Sequence, residues 1–107
     1  MNRVGFLLKV KEEHVAQYKE HHKAVWDEMK KALQRHGWRN YSIFMKDDGL
    51  LFGYFETSGT FEEALCGMEG EAINSTWQEL MSPYFEIPTG STPDKMMIEL
   101  EEVFHLV

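Results

Sequence analysis

One imidazole in this chain sits where an apolar side chain is expected. Val15, Tyr18, His22, Val25, Trp26, Met29 and Leu33 recur at steps of three and four, the spacing of one helix face turned toward a core. His22 lies in the middle of that stripe, one turn from Tyr18 and one turn from Trp26. An ionisable ring in an apolar setting must be hydrogen-bonded or serve a purpose. Two readings stand at this point: a satisfied core histidine, or a group that moves a proton. His21 lies about a hundred degrees round the same helix, on the polar side with His14, Gln17 and Glu28.

Three further residues carry groups of interest. Tyr41 shares a strand face with Ile43 and Met45, and its hydroxyl either reaches the cleft beside His22 or belongs to an ordinary half-buried tyrosine. Trp77 lies at helical spacing with Leu80, Met81 and Tyr84, which suits core packing as well as a ligand wall. Glu102 interrupts the alternating series Ile98, Leu100, Phe104, Leu106 as His22 interrupts the helix. A carboxylate there either orients an imidazole or binds a hydroxyl, or else makes a bulge or a salt bridge.

Metal chemistry does not fit these residues. His21 and His22 are adjacent and diverge on a helix, and no HExxH, cysteine cluster or EF-hand loop is present. Nor is there a GxGxxG, a P-loop or a nucleophile elbow. What remains is weak acid and base groups beside aromatic rings. Aromatic faces stack on the C–H faces of sugars, and Tyr, His and Glu handle hydroxyls. That chemistry suits proton transfer on a carbohydrate with no cofactor.

The elements that must position these groups are legible in outline. Arg3–Val10 reads as a first strand with apolar side chains on both faces. Glu12 and Glu13 open a helix at its positive dipole end, and it runs to about His36, with Gly37 as the C-terminal cap. Trp38–Met45 is a second strand, Asp47-Asp48-Gly49 a turn, and Leu50–Glu56 a third strand covered on both faces. Thr60 caps a helix over Phe61–Met68, a further helix covers Glu71–Tyr84, a loop spans Ile87–Lys95, and Met97–Leu106 forms a last strand. The order predicts a single α+β domain over residues 1–107, on the split βαβ plan of ferredoxin-like folds. Helices cover one face of such a sheet. Strands apolar on both sides imply that a second copy covers the other, as a homodimeric α+β barrel.

The totals narrow the function. The 107 residues carry a formal net charge of -7 with only 11 Lys+Arg, so neither nucleic acid nor an anionic membrane surface is an expected partner. Cys66 is the single cysteine; it reads as a small buried or half-buried thiol, not a nucleophile, in a reducing, cytosolic setting. The start of the chain lacks a long apolar run and a small-residue cleavage site.

Several segments together resemble the L-rhamnose mutarotases. They are Tyr18-Lys19-Glu20-His21-His22-Lys23-Ala24-Val25-Trp26, Gly37-Trp38-Arg39-Asn40-Tyr41-Ser42-Ile43, Leu50-Leu51-Phe52-Gly53, Trp77-Gln78-Glu79-Leu80-Met81, and Leu100-Glu101-Glu102-Val103-Phe104-His105-Leu106. They follow in order over essentially the whole chain. The resemblance implies a dimeric α+β barrel that interconverts the α and β anomers of L-rhamnose, with His22 as proton donor and Tyr18, Tyr41 and Trp77 as sugar contacts. The chain departs from the family at one place: many members carry two tandem tryptophans where Trp77-Gln78 stands, so Gln78 offers a hydrogen bond in place of a ring. Two other classes share these features, a cofactor-free oxygenase or isomerase on the same barrel and a non-catalytic sugar-binding module. Oxygen uptake marks the first, and function that survives loss of His22 marks the second.

Overall fold

Three long strands form within a residue or so of the expected runs: Asn2–Lys9 (β1), Arg39–Met45 (β2) and Leu50–Thr57 (β3). Ile98–Leu100 (β4) is a short fourth. The computed structural model describes all residues from 1 to 107. The sheet order is β2-β3-β1-β4, every neighbour antiparallel. Val15–His22 (α1) and Asp27–Arg35 (α2) lie between β1 and β2, and Phe61–Glu69 (α3) and Ala72–Met81 (α4) between β3 and β4. This is the ferredoxin-like α+β arrangement. No helix is long and apolar enough to cross a membrane.

The inner sheet face presents Val4, Phe6 and Leu8 of β1 beside Leu51 and Phe55 of β3, all buried. Helix residues Ala32, Phe61, Ala64, Met68 and Met81 complete the same core cluster. Phe6 stands opposite Gly53 across the ladder. A Cβ on Gly53 would lie 2.2 Å from the Phe6 ring, so only glycine admits the ring at that crossing. The loops follow their local chemistry. Gly37 adopts φ 80° at the end of α2. Asp48 accepts the Leu50 N–H through its side chain in the hairpin turn. Thr60 and Glu63 form a reciprocal capping box at the start of α3.

Three expectations require correction. The first helix is not continuous to His36. A 3-10 turn covers Glu12–His14, α1 ends at His22, and α2 begins at Asp27. Between them Trp26 is extended, with φ -58° and ψ 137°, and its ring meets Trp77 edge-on at 4.9 Å. The acidic pair Asp27-Glu28 restarts the helix with the favourable dipole sign. The last strand stops at Leu100, not Leu106. β4 pairs Leu100 with Gly5 in antiparallel register, and β1 begins only at Asn2, so the residues after Glu102 soon have no strand to pair with. Cys66 is exposed, not buried, because it lies between the inward Ala64 and Met68 on the outer side of α3.

The outer sheet face also carries apolar side chains. Pairs Phe44–Phe52, Phe52–Leu7 and Leu7–Ile98 set these four residues in one row across all four strands. Phe44 and Ile98 are each 61% exposed.

Gly53→Ala should cost about 1–3 kcal/mol, because the added methyl overpacks the Phe6 ring. Thermal unfolding followed by circular dichroism checks this. An unchanged midpoint would mean that the ring moves aside freely.

Candidate active site

The two helix pairs do not close completely over the sheet. They leave a cavity of about 560 Å³, lined by 24 residues of which 16 are hydrophobic. That volume suits a small ligand, and in such a pocket the few polar groups decide its orientation. Tyr18, His22, Tyr41 and Trp77 all line it, so all four predicted site residues come to one place.

Each arrives by a local device. His22 occupies the last position of α1, and its Nδ1 lies 3.0 Å from the Tyr18 carbonyl oxygen. A carbonyl only accepts, so Nδ1–H donates and Nε2 is left without a protein partner. The Tyr18 ring stacks on the imidazole at 4.0 Å between centroids, and Trp77 meets it edge-on at 5.4 Å. Tyr41 is brought in by a bulge. Arg39 pairs with Glu56 and Ser42 with Tyr54, so Asn40 and Tyr41 both stand opposite Phe55. Asn40 absorbs the extra residue in the left-handed region, at φ 50°, and its side chain donates to the Glu56 carboxylate at 2.9 Å.

Burial sets the electrostatics. It pulls the His22 imidazole below its ordinary value, against the opposing effect of the Tyr18 carbonyl bond; the nearby His21 charge adds to the lowering. Burial also pushes the Tyr18 and Tyr41 phenols up. Both therefore stay protonated at neutral pH and act as hydrogen-bond partners, not bases. The site thus offers one basic ring nitrogen beside two phenols that do not compete for its proton.

Two residues fall elsewhere. Glu102 is not beside His22. It makes a two-pronged pair with Arg3, 2.7 Å from Nε and 3.0 Å from Nη2, at the exposed sheet edge, and the guanidinium holds its carboxyl below the usual range. The salt-bridge alternative is the correct one, since Glu102 continues the β4 register to meet Arg3. His21 is half-buried, not turned to solvent, and its Nε2 lies 3.3 Å from the Tyr84 hydroxyl outside the cavity.

Sequence reasoning passed over Asn74 and Asp94 in the wall, and named Gln78 only for the ring it replaces. Asn74, Trp77, Gln78 and Met81 form the buried stripe of α4. The signal was available: two carboxamides four residues apart share the stripe of Trp77 and Met81. The flanking helices are tied outside the cavity, where Glu71 receives Arg35 and His36, each at 2.8 Å.

Comparison with known proteins adds relatedness over the full length. The family model described as L-rhamnose mutarotase matches residues 3–106. An L-rhamnose mutarotase of Oceanobacillus iheyensis is 36% identical, with 99% of each chain covered. One of Bacillus subtilis is 33% identical with the same coverage. The crystal structure of an L-rhamnose mutarotase from Formosa agariphila superposes with a TM-score of 0.83 at 28% identity, covering 100% of both chains.

The His22 ring should titrate with a midpoint below about 6.5, the ordinary histidine value. Imidazole proton and nitrogen NMR across pH reads both the midpoint and the Nδ1–H form. A midpoint at or above the ordinary value would contradict the burial argument.

Proposed function

The chain belongs to the L-rhamnose mutarotase family, and we propose that it interconverts the α and β anomers of L-rhamnose by proton transfer through His22. The observation that carries this reading is the isolated Nε2 of a desolvated imidazole held in one tautomer beside aromatic rings.

The chemistry follows from the connectivity of the substrate. The anomeric hydroxyl oxygen and the ring oxygen are bonded to the same carbon, so one basic group reaches both. Neutral His22 takes the proton from the anomeric hydroxyl. The bond from the anomeric carbon to the ring oxygen breaks, its electron pair goes to the ring oxygen, and the carbonyl forms. The imidazolium then gives its proton to the ring oxygen, which makes His22 the proton donor of ring opening. Rotation of the aldehyde and reversal of the steps yields the other anomer. Every proton returns, so the cycle needs no oxidant, reductant or covalent intermediate. In this reading Tyr18, Tyr41 and Trp77 are the sugar contacts. The phenols bond to hydroxyls, and the rings pack against C–H faces and the methyl group of the sugar. Full-length kinship to mutarotases favours this over the oxygenase and binding-module alternatives.

A homodimer belongs to the same proposal. The row Phe44, Phe52, Leu7 and Ile98 crosses the uncovered sheet face, and the tail beyond it exposes Val103, Phe104 and Leu106. A second copy covers both most simply. The cytosolic setting is part of the reading too, and the free, exposed Cys66 suits a reducing compartment.

His22→Asn keeps polarity and approximate size but does not titrate near neutrality. Saturation-transfer NMR on the two anomeric protons should show exchange slowed by about 10²-fold or more, while His21→Asn changes little. In the unmutated enzyme kcat/KM should rise with pH through the lowered His22 value, since the neutral ring starts the cycle, and then level. Full exchange in folded His22→Asn would reject the mechanism, and no exchange in the unmutated protein would reject the function.

Light scattering at micromolar concentration should give twice the 12.6 kDa chain mass, with Phe52→Lys shifting the population toward monomer. A monomeric unmutated protein would overturn the dimer.

A further inference from the structure

Beside Trp77 the cavity wall turns polar, and it is built around a carboxylate side chain. Asn74 is 3% exposed and Gln78 8%. Buried carboxamides of this kind must be hydrogen-bonded, and here both serve the same loop. The Gln78 Oε1 accepts the Asp94 backbone N–H at 3.1 Å. Its Nε2 donates to the Asn74 Oδ1 at 3.2 Å. The Asn74 Nδ2 in turn reaches the Asp94 Oδ2 at 3.4 Å, and the Thr92 hydroxyl donates to Oδ1. Gln78 therefore does not present a free amide in place of a ring. Both ends of its amide are engaged in fastening the loop, and what that loop brings to the cavity is the Asp94 carboxylate.

We propose that Asp94, held by Asn74, Gln78 and Thr92, is the residue that accepts hydrogen bonds from the sugar's ring hydroxyls, and that Gln78 is its positioning residue. The inference rests on the mutarotase reading and deepens it.

The argument is one of donor and acceptor balance. A carboxylate has about four lone-pair sites, and the two side-chain bonds from Thr92 and Asn74 occupy two of them. The remainder face hydroxyl donors, and bonds to a charged acceptor are about twice as strong as neutral ones. Of the 24 residues lining the cavity, Asp94 is the only carboxylate. The lining bases do not duplicate it: His22 is committed to the anomeric centre in the proposed cycle, and Lys30 is a donor only. A sugar that stacks one face on the aromatic cluster still has hydroxyls directed away from it. In this assignment Asp94 bonds to ring hydroxyls while His22 handles the anomeric centre, so Asp94 acts on binding in ground and transition states alike.

Asp94→Asn should raise KM for L-rhamnose, and the Kd read from quenching of tryptophan fluorescence, by about ten- to hundredfold, the loss of a charge-assisted bond, with kcat changed little. Gln78→Met, which keeps bulk and removes both amide bonds, should weaken binding in the same direction with Asp94 still present. The decisive reading uses the 2-, 3- and 4-deoxy analogues of L-rhamnose. The penalty of Asp94→Asn should disappear with the analogue that lacks the contacted hydroxyl and persist with the others. An equal penalty for all three analogues would make Asp94 merely structural and overturn the assignment. So would unchanged affinity in either folded variant, or a kcat loss with KM intact. If the unmutated protein neither binds nor exchanges L-rhamnose, the mutarotase reading falls and takes this assignment with it. If the unmutated protein is active and Asp94→Asn titrates identically, only the assignment falls.

Discussion

A four-stranded sheet has two faces, and this chain supplies one layer of helices. Everything else follows from that shortage. Four helices, none longer than ten residues, cannot seal the inner face of four strands, so a gap remains where the helix pairs meet over β1, β2 and β3. The outer face receives no cover from the chain, yet it carries a row of apolar side chains. The cavity and the proposed dimer surface are thus two results of one incomplete covering. A domain of this size is also left with a modest core of its own, and a partner sheet would add to it.

Within the gap the aromatic rings do two jobs that are hard to separate. Tyr18 and Trp77 are among the buried core, and the same rings fix the imidazole from two directions. Their packing removes water from His22, and that loss of hydration is what lowers its proton affinity. A ring held by one backbone bond and two aromatic neighbours has little rotational freedom left. It needs no second charged group to orient it. Hence the carboxylate of Glu102, spent on Arg3, is not missed at the site.

The long elements were legible because their signals are local. The apolar runs of Arg3–Val10 and Leu50–Glu56, the stripe around His22, the Gly37 cap and the Thr60 cap each depend on a few neighbouring residues. The errors came where a distant contact decides. Trp26 leaves the helix and meets Trp77, fifty-one positions away. β4 runs antiparallel to β1 toward its first residue, Asn2, and so soon runs out of partner strand; the register of a strand is invisible from one strand alone. Tyr41 was read on the right face, but the bulge that serves it depends on Asn40 in a left-handed conformation opposite β3. The polar wall was missed for a related reason. Asn74 looked like an ordinary polar residue, Gln78 was read as a free amide in place of a ring, and Asp94 lies in a loop whose fastening appears only when helix and loop are placed together.

The close packing of indole and imidazole has an optical consequence. Two of the three tryptophans, Trp26 and Trp77, sit in one cluster with His22, while Trp38 stacks on Phe55 at 3.9 Å. A protonated imidazole quenches an excited indole beside it, whereas a neutral one does so weakly. The emission of Trp77, in edge-on contact with the ring, should therefore follow the charge on His22. An indole beside the imidazole thus makes the charge state of one side chain readable by light.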